Sequence, residues 1–193
     1  MTTPIKLLAF AGSGRQNSLN RKLLAIAVAS ARAQGATVTV FDLKSDSLPL
    51  YDGDLEDAGV PNSVVEAKKL FAAHDGFLIA SPEYNMFFSP LLKNTLDWLS
   101  RPNPAGVDIP NPFSHKTAAL LSTSPGAIGG LRALPFLRLL LSKLGVLVAP
   151  GELAVGAGDK AIGDGQLIDP KQQQVLEKVV SDLILLTRSV RKQ

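Results

Sequence analysis

Cysteine is absent from the 193 residues, which excludes disulfides and thiolate nucleophiles and fits a cytoplasmic protein. Only two histidines occur, His74 and His115, and they lie too far apart in sequence for a metal-ligand spacing, so no metal is expected. Charge of either sign is modest: 20 basic against 17 acidic residues leave a net charge of +3. With no Lys/Arg tract or basic–aromatic stripe, nucleic acid is not an expected partner. No apolar run reaches membrane-spanning length, and the N-terminal apolar run is too short for a signal peptide, so no membrane insertion is expected.

What is present is apolar sequence in regular alternation. Hydrophobic residues make up 46% and charged residues 19%, the balance of a well-packed globular chain. Without a linker, repeat or low-complexity tract, residues 1–193 are expected to form a single domain with a substantial core. Residues 5–10, 36–41, 77–80, 117–122 and 145–148 read as strands. Helical patterns separate them. The first carries Leu19, Leu23 and Ala27 and stops at Gly35. After an acidic connection over residues 42–61, Ser63-Val64-Val65-Glu66 forms a capping-box pattern that opens a second helix ending near His74. Ser89-Pro90 starts a third, with Ser as N-cap and Pro at the first helical position. A fourth spans residues 131–144, with Pro135 shortening it or shifting its start. Asp169-Pro170 opens the last, in which Val175, Val179, Val180, Leu183 and Leu186 share a face. Five strands alternating with five helices predict an α/β fold with an open parallel sheet covered on both faces. Such sheets bind ligands at the carboxyl ends of their strands, where the strand order reverses.

Three of those strand ends carry unusual loops. The first is Gly12-Ser13-Gly14-Arg15-Gln16-Asn17-Ser18-Leu19-Asn20, between a strand and a helix. Loop N–H groups, the positive end of the helix dipole, hydroxyls and a guanidinium converge there, which makes a phosphate cradle. The Gly-Lys-Ser/Thr triplet of the Walker loop is missing, and Asn17 stands where the dinucleotide fingerprint needs its third glycine. The remaining donors suit a terminal phosphate monoester. Read as an ordinary strand-to-helix turn, the loop needs only Ser18 as N-cap; Arg15 among four polar partners favours the phosphate.

The second loop, Ser81-Pro82-Glu83-Tyr84-Asn85, offers a restricted backbone, a ring and a turn with exposed N–H groups, suited to a planar heterocycle. Glu83 is read as holding loop amides or facing solvent rather than as a general base, since no second acid or histidine is near it in sequence. The third loop begins Ser122-Thr123-Ser124-Pro125-Gly126 and lacks the context of a serine nucleophile. Both histidines are read as surface residues, and Trp98 as core.

These segments resemble the NADPH-dependent FMN reductase family. The resemblance rests on the phosphate loop, on Ser-Pro-Glu-Tyr-Asn followed by Ser89-Pro90-Leu91-Leu92-Lys93-Asn94-Thr95-Leu96-Asp97-Trp98, and on the Gly-rich third loop, and it covers nearly the whole chain. It implies a flavodoxin-like three-layer sandwich with a five-stranded parallel sheet, bound FMN, and a homodimer or homotetramer. Ser13, Arg15, Ser18, Leu19 and Asn20 would then bind the FMN phosphate. Pro82, Glu83, Tyr84 and Asn85 would line the isoalloxazine and ribityl chain, and Ser124 with Gly126 would close the other side. Two departures stand out: Met86-Phe87-Phe88 replaces the usual run after the Asn, and Pro135 stands where relatives often carry an aromatic residue near a subunit contact.

The activity so implied is transfer of reducing equivalents from NADPH (or NADH) through FMN to quinones, azo compounds or chromate, with no catalytic side chain of the protein itself. Arg15 and Arg101 are both candidates for an NADPH phosphate. The alternative is a flavodoxin-type carrier reduced by a protein partner, against which the +3 charge counts. A Rossmann dehydrogenase using Gly12, Gly14 and Asp42, and a non-catalytic binding module, are further alternatives.

Overall fold

Side-chain alternation in the first strand divides the core in two. In the computed structural model, which describes residues 3–46 and 48–191, β1 (Lys6–Ala11) sends Leu7, Ala9 and Ala11 to one face and Leu8 and Phe10 to the other. The chain continues through α1 (Leu19–Ala33), β2 (Thr37–Phe41), α2 (Gly53–Ala58), α3 (Asn62–Ala72) and β3 (Gly76–Ala80). A small hairpin of β4 (Glu83–Tyr84) and β5 (Phe87–Phe88) precedes α4 (Pro90–Ser100). Then come β6 (Thr117–Thr123), α5 (Ala133–Lys143), β7 (Leu147–Val155), α6 (Gly158–Ala161), the β8 (Ile162–Gly163) and β9 (Gln166–Leu167) hairpin, and α7 (Pro170–Val190).

Five parallel strands form one sheet in the order β2-β1-β3-β6-β7. Counting sheet strands alone, this is the flavodoxin-like order 2-1-3-4-5, and it reverses between β1 and β3. Helices α1 and α7 cover one face with aliphatic side chains such as Ala27, Ala31, Val179 and Leu183. The other face lies under α3, α4 and α5 and is aromatic: Phe10, Phe71 and Phe77 meet with ring centroids 5.1–6.0 Å apart. Central strands buried on both faces explain the unbroken apolar runs of β3 and β6.

Arginines cover both sheet edges. Arg32 donates to the Val38 carbonyl of β2 (3.0 Å), and Arg138 donates to Ala149 of β7 and to Glu152, each at 2.8 Å. Capped carbonyls leave less edge for another chain to pair with.

Several elements differ from the sequence reading. Helix α3 starts at Asn62 with Pro61 as its N-cap, so Ser63 lies inside the first turn and makes no capping box. Pro61 has no hydroxyl to bond an N–H, but its fixed φ (−56°) already suits a helix entrance. The fifth strand runs to Val155, straight through Pro150-Gly151. The register against β6 shifts between Ala118 and Leu120, and an edge strand tolerates a proline that donates no hydrogen bond. Pro135 is the third residue of α5, where an N–H has no intrahelical partner to lose. In α7 the buried stripe is Leu176, Val179, Val180, Leu183, Ile184 and Thr187, while Val175 is exposed. His74 is buried, not superficial. Its Nδ1 lies 2.7 Å from the Leu70 carbonyl and its Nε2 2.8 Å from the Thr39 hydroxyl. Among the described residues, no helix is long and apolar enough to cross a membrane.

Candidate functional site

The cradle loop begins as an extension of the sheet. Gly12 donates its N–H to the Ala80 carbonyl (2.9 Å), holding the ends of β1 and β3 side by side. A Cβ on Gly12 would sit 2.7 Å from the Ser89 hydroxyl and 3.3 Å from Leu92, so only glycine lets α4 pack there. Ser13 is buried beneath the loop and Arg15 is exposed above it. Ser18 is the N-cap of α1 and its oxygen accepts from the Arg21 N–H (3.2 Å). The hydroxyl proton of Ser18 therefore remains free to donate outward. Asn20 is buried and its amide grips both main-chain groups of Thr123, donating to the carbonyl (2.9 Å) and accepting from the N–H (3.1 Å).

The second wall follows β3. Asn85 and Met86, with φ of 52° and 69°, form the two-residue turn between β4 and β5. Both residues of a type I′ turn need positive φ. Asn tolerates this, but for Met it costs about 1–2 kcal/mol. Glu83 is tied to the third wall: its carboxylate accepts from the Arg132 N–H (3.1 Å) and from Nε (2.7 Å), with Nη2 also in contact. Of the two readings the sequence left open for Glu83, holding loop amides or facing solvent, the carboxylate takes the first, although no local signal pointed to Arg132 as the partner.

The third wall leaves β6 at Thr123. Gly129 and Gly130 both have positive φ, and a Cβ on either would overlap the main chain of Val155 or the hydroxyl of Ser122. The Ser122 hydroxyl is buried without a partner. Neither histidine stands by it, since His74 and His115 precede β3 and β6 at the opposite end of the sheet, so the arrangement is not a nucleophile with its base.

Together the three loops enclose a cleft of about 150 Å³ at the strand-order reversal. Ser13, Arg15, Ser18, Leu19 and Asn20 line one end; Pro82, Glu83, Tyr84 and Ser124 line the other. Asn85 and Gly126 stand outside its lining, and Thr123 and Pro125, which sequence reading passed over, are part of it. Arg101 is elsewhere, at the C-terminus of α4, bonded to Glu56 (2.9 Å) and 5.5 Å above the Tyr51 ring. A larger hollow of about 320 Å³ lies between α1 and β2. Its walls are mostly apolar (Leu24, Ala25, Val28, Val40) and its Arg21–Asp42 pair is already closed at 2.8 Å, so it lacks the converging free donors of the cleft.

Residues 5–160 match the family model described as NADPH-dependent FMN reductase. The chain belongs to that family. It is 33% identical over 193 residues to an NAD(P)H-dependent FMN reductase of Pseudomonas aeruginosa, covering 99% of this chain and 100% of the relative. To the NADPH:quinone oxidoreductase of Arabidopsis thaliana it is 34% identical, covering 95% and 92%. Among solved structures it is similar to FerB, a flavoenzyme NAD(P)H:(acceptor) oxidoreductase of Paracoccus denitrificans, with a TM-score of 0.81 at 29% identity over 96% of this chain and 98% of that one.

The cleft's donors fit the mononucleotide of the family's name. The first turn of α1 holds no acidic residue, so its free N–H groups and dipole are not neutralised from within. Arg15 makes no ion pair among the described residues. The one carboxylate in the lining, Glu83, is offset by Arg132. At about 150 Å³, the cleft is smaller than the roughly 300–1,000 Å³ that buries a whole ligand.

Proposed function

We propose that this protein is an NAD(P)H-dependent FMN oxidoreductase that delivers reducing equivalents to quinone-like acceptors. The observation that carries this reading is the meeting of three separate loops in one cleft, with Ser13, Arg15 and Ser18 from one loop facing Pro82, Tyr84 and Ser124 from the other two. Quinone reductases among the relatives, in Arabidopsis thaliana and Escherichia coli, support the acceptor class. The whole chain acts as one FMN-binding domain.

FMN, when bound, supplies the acceptance and release of hydride that no side chain here can perform. Arg15, the Ser13 and Ser18 hydroxyls and the main-chain N–H groups of Leu19 and Asn20 would hold its phosphate. Asn20 has a second task, since its side chain fastens α1 to the end of β6 and so fixes the phosphate end relative to the ring end. Pro82, Glu83 and Tyr84 would line the ring and ribityl chain from one side, with Ser124 on the other. Main-chain N–H groups at these loops would stabilise negative charge on the reduced ring. Arg101, bonded to Glu56 away from the cleft, is not placed to join them.

A homodimer or homotetramer is the proposed working form. Met86, Phe87, Ile128, Leu131, Phe136 and Leu139 are all exposed on segments that touch one another, with Phe87 and Phe136 rings 4.9 Å apart. An apolar surface of that extent beside a site suits a subunit contact. The cysteine-free composition suits the cytoplasm.

Anaerobic titration of the FMN-loaded protein with NADPH, and then NADH, tests the reading through the visible flavin band. Prompt bleaching by either is the expected result. A bound flavin that neither nucleotide bleaches would replace this reading with that of a flavodoxin-type carrier.

A further inference from the structure

We infer that Glu83 and Arg132 are a positioning pair that sets the width of the cleft. This inference rests on the FMN reading, and it deepens that reading by adding Arg132 and by giving the Glu83 carboxylate a role that involves no contact with flavin.

The pair spans the two walls. Glu83 belongs to the hairpin wall with Pro82 and Tyr84; Arg132 ends the loop that carries Ser124 and Pro125. One carboxylate oxygen accepts from the Arg132 main-chain N–H at 3.1 Å, and the other accepts from Nε at 2.7 Å and contacts Nη2. The Glu83 side chain is only 7% exposed, whereas that of Arg132 is 55% exposed. Local sequence gives α5 no cap of its own. Arg132 occupies the N-cap position without a side-chain bond, so Glu83, far away in sequence, supplies both the acceptor and the negative charge that a helix N-terminus favours.

The loop between the two walls has little freedom to compensate. A Cβ at Gly130 would meet the Ser122 hydroxyl on one side and Glu83 Cβ, at 3.4 Å, on the other. A Cβ at Gly156 would overlap the Ala127 carbonyl. The loop is thus wedged between the ends of β6 and β7 and the hairpin, and the charged pair draws the hairpin onto it. The contact of Phe87 with Phe136 makes a second attachment on the outer side. A geometry fixed this way holds both faces of a flat ligand at one spacing, and a small misplacement of such groups costs catalysis far more than stability.

Glu83→Ala, Glu83→Gln, Arg132→Ala and the double variant Glu83→Ala/Arg132→Ala test the pair. Glu83→Gln keeps the size and the acceptor for the N–H, and guards against a variant that simply fails to fold. In the ligand-free protein, amide hydrogen exchange over residues 124–132 should accelerate in Glu83→Ala, and less in Glu83→Gln. FMN affinity should fall about tenfold or more in Glu83→Ala and in Arg132→Ala, with a lowered kcat and a little-changed KM for the nicotinamide. The double variant should lose no more than the worse single one, because the two side chains act as one unit. Unchanged exchange in Glu83→Ala overturns the inference whatever the flavin does. So does a loss of affinity in Glu83→Ala that Arg132→Ala does not share, which would mean that Glu83 meets the ligand directly. If the wild-type protein itself binds no FMN, the functional reading fails, and the inference built on it fails with it.

Discussion

At the amino ends of the strands Lys116 is buried and donates to the main-chain oxygens of Ala72 (2.8 Å) and His74, whereas at the carboxyl ends Arg15 stands exposed with no ion pair among the described residues. The contrast extends to their neighbours. Near Lys116, the Thr117 and Thr187 hydroxyls meet at 2.6 Å and Asp75 accepts from the Lys6 N–H at 2.7 Å. Lys68 of α3 is only 1% exposed and donates to the carbonyls of Arg101 and Pro102 and to Asn103. Around the cleft, by contrast, helix N–H groups and the Ser18 hydroxyl proton are left over, and Met86 is held at a φ of 69°. Polar groups at the amino end hold the chain together; at the carboxyl end some do so as well, Asn20 with Thr123 and Glu83 with Arg132, while Arg15, unpaired among the described residues, is left for a ligand.

That comparison can be broken by removing one polar group at a time. The largest effect is expected from Lys68→Met. It leaves the part-buried Arg101 and Pro102 carbonyls and the Asn103 amide oxygen without their shared donor, at about 1–3 kcal/mol of unfolding free energy in a urea titration. FMN affinity of the folded protein should be unchanged. Arg15→Ala should do the reverse. Loss of a charge-assisted bond to phosphate weakens FMN binding by about 10- to 100-fold, while the urea midpoint stays where it was. Asn20→Ala is the variant that should cross the divide, because its amide belongs to the fold and its main chain to the cleft. A loss of about 1–2 kcal/mol in stability, accompanied by several-fold weaker FMN binding, would show the two ends are joined through α1 and β6.

The smallest effect concerns pH. Burial pushes the Lys116 amine below the ordinary lysine value, and Lys68 likewise, since the charged form is poorly solvated in the folded protein. Between the lowered value and about 10.4, the unfolded chain keeps a proton that the folded chain has released. Stability from these groups therefore rises with pH in that window and is at its least below it. Lys116→Met should flatten the alkaline limb of a plot of stability against pH. An unaltered slope would mean that the amine is not the group being titrated.

Legibility in the sequence follows the range of the interactions. The β1–loop–α1 unit and the Ser89-Pro90 helix start were readable because cap, loop and helix lie within a few residues of one another. Strand-end loops gathered at one cleft followed from the parallel sheet. Ser63 misled because a capping-box pattern is permissive, and Pro61 two residues earlier set the helix start instead. The far half of β7 was missed because Pro150-Gly151 reads as a turn unless the strand is known to be an edge. The burial of His74 and the role of Arg132 were out of reach, since each depends on a partner distant in sequence, Thr39 for one and Glu83 for the other.

The most direct test of the account is to titrate the ligand-free protein with FMN and, in parallel, with riboflavin, which has the same ring and no phosphate. A phosphate cradle at the start of α1 predicts FMN tighter by about tenfold or more, with most of that preference gone in Arg15→Ala. Equal affinities in the wild-type protein would contradict the cradle and with it the assignment of the cleft.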